Sequence, residues 1–281
     1  MQKQEKIIQM FDEIAPTYDK ANRILSFGID IKWRQKACER VLKCFDESGN
    51  LGFIETLKNV THKKADKIKN EANSENKNLE KAGQGAKFQG LKIADIACGT
   101  GDMMMIWQEM ATKLHKKIAS ITGVDPSANM LALAKEKMLA KKLENVDFIQ
   151  AGAQDLPLKT NTFDILSIAY GIRNVVQRKE ALNEFARVLK KEGILLVLEF
   201  AKSCNESLMD KINAFYLKFI LPKIGGFISK NKAAYEYLPS SIDSFITKEN
   251  FIKELENAGF DMMYYESFSF GICSVFIAKK R

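Results

Sequence analysis

From Leu91 onward, short runs rich in isoleucine, leucine and valine alternate with longer stretches whose apolar residues recur at helical spacing. The runs predict strands at Leu91–Ala97, Ile118–Val124, Val146–Gln150, Phe163–Ala169 and Gly193–Phe200. The stretches between them predict helices at Asp102–Leu114, Ala128–Lys142 and Lys179–Lys190. Such alternation implies an α/β domain with a mostly parallel sheet. Asp125-Pro126-Ser127 reads as a strand exit followed by a helix cap. Gly193, after Lys190-Lys191-Glu192, reads as a left-handed helix stop.

On either side of this block the pattern changes. Asn205–Ile220 predicts a helix with a heavy apolar face, and the stripe Phe215–Leu221 suits a core-facing wall or a membrane-touching lid. Thr247–Ala258 predicts a helix stopped by Gly259, and Met262–Phe268 and Ile272–Ala278 predict an antiparallel hairpin across Ser269-Phe270-Gly271. Upstream, helices at Lys3–Ile14 and Ile31–Phe45 predict a helical cap over residues 1–45. Residues 46–90 differ in composition: Thr61–Asn78 has almost nothing apolar to bury, so it cannot offset its ordering entropy. That segment reads as a mobile polar insertion, and residues 91–281 as the ligand-binding domain.

Composition narrows the chemistry more than the fold. No apolar run approaches the roughly 18 residues of a membrane span, and the polar N-terminus lacks a signal-peptide core, which predicts a cytoplasmic protein. The formal charge of +8 suggests an acidic partner, nucleic acid or an anionic membrane surface, against the plainer reading of solvated lysine faces. The cysteines 38, 44, 98, 204 and 273 are odd in number and never in CxxC spacing, so they read as free thiols. With His62 and His115 as the sole histidines, Ser-His-Asp, Cys-His and histidine-ligated zinc chemistry are disfavoured.

The chemistry-bearing pattern is Asp95-Ile96-Ala97-Cys98-Gly99-Thr100-Gly101-Asp102. An apolar strand delivers the chain to a glycine turn, where the backbone can approach a ligand closely and the next helix presents its first N–H groups. Asp125 then ends the second strand, where a carboxylate can accept both hydroxyls of a ribose. A dinucleotide-binding site shares this layout, but its third glycine falls on Met104. With Asp95 ahead of the glycines, the loop resembles that of S-adenosylmethionine-dependent methyltransferases. That resemblance implies a Rossmann-like class I fold, a mostly parallel seven-stranded sheet with a C-terminal antiparallel hairpin. It also implies S-adenosyl-L-methionine as cofactor, held by Asp95, Gly99, Thr100, Gly101 and Asp125. After the third strand, Gly152-Ala153 stands where such proteins often carry Asp-Ala, so backbone groups of Gly152 and Ala153, or the side chain of Asp155, are candidates to receive the adenine.

Further motifs narrow the resemblance. Met10–Asn22, Leu25–Asp30 with Trp33-Arg34, and Tyr170-Gly171-Ile172-Arg173-Asn174-Val175 resemble signatures of the ubiquinone/menaquinone biosynthesis C-methyltransferase family. Arg187–Lys190, Leu198-Glu199-Phe200 and Tyr235–Ile242 extend the likeness to the whole chain outside 46–90. The resemblance implies methylation of a ring carbon in a prenylated quinol, either demethylmenaquinol or a 2-methoxy-6-polyprenyl-1,4-benzoquinol, without a metal. On that basis Arg173 is expected to stabilise the quinolate, Asn174 to orient it and Tyr18 to share its proton. Nucleic-acid methylation is disfavoured, since neither an Asn/Asp-Pro-Pro-Tyr motif nor a Pro-Cys pair occurs. A different lipid-like acceptor, or cofactor binding without catalysis, remains the alternative.

Overall fold

The structure, a computed structural model, describes residues 3–51, 89–201 and 232–281. The expected helix at Asn205–Ile220, most of the expected insertion and Cys204 lie outside the described residues.

A seven-stranded sheet forms the centre, in the order β3-β2-β1-β4-β5-β7-β6. Its strands are β1 (Leu91–Ile96), β2 (Ile118–Asp125), β3 (Val146–Gln150), β4 (Phe163–Ala169), β5 (Leu189–Glu199), β6 (Phe260–Phe268) and β7 (Cys273–Lys280). β1 to β5 pair in parallel, and β7 runs antiparallel between β5 and β6. The chain winds outward from β1 to β3, then restarts at β4 on the other side of β1, so the strand order reverses between β1 and β4. Ligands of open α/β sheets sit at the strand C-termini beside such a reversal.

The helices are α1 (Lys3–Leu25), α2 (Ile29–Leu42), α3 (Asp102–Lys113), α4 (Ala128–Ala140), α5 (Arg178–Val188), α6 (Lys232–Ser244) and α7 (Lys248–Asn257). One core layer packs Trp33, Val41 and Leu42 of α2 and Met104 and Trp107 of α3 against Ile93, Ile121 and Ile165 of the sheet. The opposite layer packs Leu182 and Phe185 of α5 and Phe251 and Leu255 of α7 against Leu166, Leu195 and Phe276. α1 belongs to neither layer. Its Ile14, Ala15, Ala21 and Leu25 form a small separate cluster with Met130 of α4.

Several boundaries differ from the expectation, each for a local reason. α1 runs past Ile14 to Leu25 with Pro16 inside it. A proline there removes the N–H that would bond the carbonyl of Asp12, ordinarily a loss of about 3 kcal/mol or more. The freed Asp12 carbonyl instead accepts a hydrogen bond from Asn129 Nδ2 at 3.1 Å. β5 begins at Leu189, and the left-handed residue is Glu192, with φ 62°, so Gly193 lies within the strand rather than stopping a helix. Ser127 caps α4 by accepting from the Met130 N–H at 3.1 Å, as expected. At the start of the expected insertion, Asp46 Oδ1 accepts from the N–H groups of Ser48 and Asn50 at 2.8 and 2.9 Å.

Candidate active site

Two adjoining cavities open at the C-terminal ends of β1 and β4. The smaller, about 170 Å³, is lined by Gly99, Asp125, Gly152, Ala153 and Gln154 from the sheet loops, by Gly171 and Asn174 beyond β4, and by α1. The larger, about 520 Å³, is lined mainly by apolar groups of α1 and α2, with Arg34, Arg173, Tyr18 and Asp30 among them. Phe11, Tyr18 and Tyr170 line both, so these rings form the partition between the two spaces.

Backbone geometry makes the smaller cavity. The exit of β1 turns through Ala97, Gly99 and Gly101, at φ 51°, 55° and 83°. A Cβ at Gly99 would meet nothing within 4 Å, so space is left there for a ligand. Gly171 permits the closest approach: a Cβ there would lie 2.5 Å from that of Ala97, forcing apart the tips of β1 and β4. Asp125 Oδ2 accepts from the Gly99 N–H and its Oδ1 from the Ser127 N–H, both at 2.9 Å. The carboxylate therefore clamps the β1 turn to the start of α4 while it faces the cavity.

Asp95 stands behind this turn and is 1% exposed. Its Oδ1 accepts a hydrogen bond from Ser167 Oγ at 2.6 Å, and Ser167 accepts from Trp107 Nε1 at 3.0 Å. Its Oδ2 is buried without a partner. Burial pushes the Asp95 carboxyl up to about 7, against the hydrogen bond of Ser167 and the charge of Arg34. Burial likewise pushes Asp125 up to about 6. A buried carboxylate oxygen lacking a donor suits a cationic ligand, since an unpaired buried polar atom is costly.

Asp95, Thr100 and Gly101 do not line either cavity. The Thr100 hydroxyl donates to Asp19 Oδ1 of α1 at 2.6 Å and accepts from Lys137 at 3.0 Å. Lys137 also pairs with Asp19 and Asp102, and Arg23 bridges Asp102 and Asp30. The cofactor motif thus also fastens α1 over the site. Burial raises the Asp102 carboxyl, but Lys137, Arg34 and Arg23 outweigh it and hold the group below its ordinary value.

Asp155 is exposed and does not line the cavity. Sequence reasoning missed Gln154, whose amide lies beside Gly152: a Cβ there would come within 2.6 Å of Gln154 Nε2 and Oε1. The glycine in an acid's place was the available signal, because the space it leaves must be filled by a neighbour.

Around the larger cavity, Arg173 is 6% exposed at its side chain and donates from Nη1 to Glu199 Oε1 at 2.6 Å and to the Tyr170 carbonyl at 2.7 Å. Its Nε reaches Ser241 Oγ at 3.3 Å. Burial pushes the Glu199 carboxyl up, opposed by the Arg173 charge. Arg34 pairs with Asp30 one helical turn before it and lies 5.0 Å above the Tyr170 ring. Tyr170 itself holds φ 59°, a left-handed conformation uncommon for a bulky residue, and its ring stacks on Phe200 at 5.0 Å. Burial raises the Tyr18 and Tyr170 hydroxyls above their ordinary values, so both stay protonated donors. Asn174 faces the smaller cavity and accepts from the Tyr237 hydroxyl at 3.0 Å, so Arg173 and Asn174 point into different spaces. Roles for Arg34, Tyr170 and Gln154 were not assigned from sequence, although the first two stand inside quoted motifs.

A glycine turn open to a ligand, with an orphaned carboxylate behind it on a sheet of this strand order, fits S-adenosylmethionine and places the protein among class I methyltransferases that use it. The sequence profile of the ubiE/COQ5 methyltransferase family matches residues 1–56 and 75–280, and the chain belongs to that family. It is 55% identical over 280 residues to the ubiquinone/menaquinone biosynthesis C-methyltransferase UbiE of Campylobacter jejuni (strain 81-176), covering 100% of both chains. It is 32% identical to the demethylmenaquinone methyltransferase of Thermotoga maritima, covering 96% of this chain and 94% of that one. Among solved structures it is similar to the [4+2]-cyclase SpnF, with a TM-score of 0.50 and 17% identity over 72% of this chain and 84% of that one. The last likeness concerns the fold alone. The family match leaves out residues 57–74, inside the compositionally distinct segment. Among the described residues no helix is long and apolar enough to cross a membrane.

Proposed function

We propose that the chain methylates a ring carbon of a prenylated quinol, demethylmenaquinol or a 2-methoxy-6-polyprenyl-1,4-benzoquinol. The observation that carries this reading is the partition: Phe11, Tyr18 and Tyr170 are walls of both the glycine-turn cavity and the apolar one. An acceptor ring against that partition meets a cofactor on its other side.

Bound at the glycine turn, S-adenosylmethionine supplies an electrophilic methyl group on a sulfonium sulfur. The carboxylate of Asp125 would hold its ribose end, Asp95 behind the turn would supply negative charge toward its cationic end, and Gln154 with the backbone of Gly152 and Ala153 would receive the adenine. The acceptor would react as its quinolate, its hydroxyl proton left with bulk solvent on entry, and the negative oxygen raises electron density at the ortho ring carbon. Arg173 and Arg34 stabilise the resulting negative charge in a water-poor space, where such interactions are strong. Tyr18 serves as a donor to the quinolate rather than as its base, because burial keeps its hydroxyl protonated. A bound cofactor would give its methyl group to that carbon, the new bond taking its electron pair from the ring and the sulfur keeping the pair of the bond broken, and the displaced ring proton would return to the quinolate oxygen. α1, lying over both spaces, excludes water and orders the two reactants. A prenylated acceptor also implies peripheral contact with a membrane.

The test is incubation of purified protein with methyl-labelled S-adenosylmethionine and demethylmenaquinol, with the benzoquinol in parallel. Label in the quinone ring is the expected result. Cofactor binding without transfer to either quinol overturns the acceptor and points to another lipid-like molecule.

A further inference from the structure

Exposed apolar side chains among the described residues are concentrated at one place. Of five large ones, Ile24, Phe27 and Ile29 fall at the end of α1, on the turn after it and at the start of α2, exposed by 43%, 87% and 38%. The other two, Leu139 and Val176, stand far apart in sequence. The turn is built rather than frayed. Phe27 and Gly28 both take left-handed backbone, at φ 51° and 71°. The Gly28 N–H donates to the Arg23 carbonyl at 2.9 Å, and Ser26 Oγ donates to Asp30 Oδ1 at 2.6 Å. A phenylalanine is thus held outward in a conformation that costs it energy.

The turn is also the rim of the larger cavity, which Leu25, Phe27, Ile29 and Lys32 line. Lys20, Lys32 and Lys36 are exposed around it, and the acidic residue between positions 20 and 36, Asp30, is buried and held by Arg23 and Arg34. The surface therefore offers apolar tips inside a basic ring. Three side chains on a convex turn are far too few for a protein interface of ordinary size. Apolar tips with flanking lysines match the interface of an anionic bilayer.

We propose that the α1–α2 turn docks the protein on an anionic lipid surface, with Ile24 and Phe27 entering the interface and the cavity mouth held against it. A prenyl tail then passes from lipid into the cavity without crossing water. This inference rests on the quinol reading for its purpose, but not for its test.

The experiment is flotation of the full chain with phosphatidylglycerol-containing vesicles and with pure phosphatidylcholine vesicles, for wild type, the double variant I24S/F27S and the surface control L139S. Binding to anionic vesicles that weakens with salt is expected, with I24S/F27S weaker by about tenfold or more and L139S unchanged. An unaltered dissociation constant for S-adenosylmethionine verifies that the double variant is folded. Wild type that ignores anionic vesicles, or a double variant that binds them as well as wild type, overturns the proposal. A dimer that dissociates in I24S/F27S while vesicle binding is unchanged assigns the turn to a second copy and overturns it too. Docking without methyl transfer to any quinol in detergent would keep the surface and end the quinol reading, so the two fail separately.

Discussion

The two cavities are built by opposite means. The smaller is a product of backbone: left-handed turns at Ala97, Gly99 and Gly101, the contact of Gly171 with Ala97, and a carboxylate clamping two N–H groups. The larger is a product of side chains drawn from α1, α2, the exits of β4 and β5, and α6, with Arg173 and Arg34 fixed by Glu199 and Asp30. Backbone sites are set by sequence that is local, whereas side-chain sites depend on distant elements arriving together. The first should resist changes of side chain and fail on changes of turn; the second should behave in the reverse way.

Arg173 gives the sharpest test. Loss of a preorganised charge facing a developing oxyanion typically lowers kcat by about 100- to 1000-fold, and Arg173→Ala should do so in a quinol methylation assay. Because Glu199 is 0% exposed at its side chain, the same change strands a buried carboxylate and should destabilise the fold by about 3–5 kcal/mol. Glu199→Gln separates the effects: it keeps the guanidinium, so chemical denaturation should show a smaller loss and turnover should fall less. If Arg173→Ala folds and retains full turnover, the larger cavity owes nothing to that charge. The S-adenosylmethionine affinity of either variant should stay within a few-fold of wild type.

The contrast also explains what was legible beforehand. The strand–helix alternation from Leu91 and the motif from Asp95 to Asp102 were readable because the periodicity and turn chemistry of one segment determine them. The extension of α1 past Pro16 was not, because the partner that relieves the proline, Asn129, lies on another element. The same holds for Thr100, which the motif assigns to the cofactor but which Asp19 of α1 and Lys137 of α4 bind. Arg34 and Tyr170 stood inside family signatures, yet their meeting across the cavity is a tertiary fact. Gly193 misled because the left-handed position next to it was filled by Glu192 instead.

A pH dependence sharpens the backbone half. The Asp95 carboxyl rises from 3.8 to about 7 on burial, so between those values the folded chain keeps a proton that the unfolded chain has lost. Stability without cofactor should therefore fall as pH rises across that interval, with a slope from this group approaching about 1.4 kcal/mol per unit, and level off above it. Asp125, raised to about 6, adds a contribution of the same sign over a narrower range. Beside Asp95 stand Ser167 as donor, Arg34 as a favourable charge and Asp125 as an unfavourable one. A cationic cofactor favours the ionised carboxylate, so its affinity should rise with pH up to about 7, by no more than about tenfold per unit. Asp95→Asn should flatten both curves in calorimetry and denaturant titration. An unchanged pH profile in that variant would remove Asp95 from cofactor binding.

The smallest expected effect concerns Gln154, and it tests whether side chains matter at all in the backbone-built half. Gly152 has no left-handed φ, so nothing in its backbone forbids a side chain; the obstacle is that a Cβ would press on the Gln154 amide at 2.6 Å. If that amide replaces the acid more usual before Ala153, Gln154→Ala should weaken S-adenosylmethionine by about threefold to tenfold, the worth of one neutral hydrogen bond. Gly152→Asp alone should weaken it too, because the new side chain and the amide compete for one space. The double variant G152D/Q154A relieves that competition and supplies a carboxylate, so its affinity should recover to near wild type. A double-mutant cycle by calorimetry measures the coupling directly, and simple additivity of the two losses would show that the amide and the position of the missing acid do not share a task.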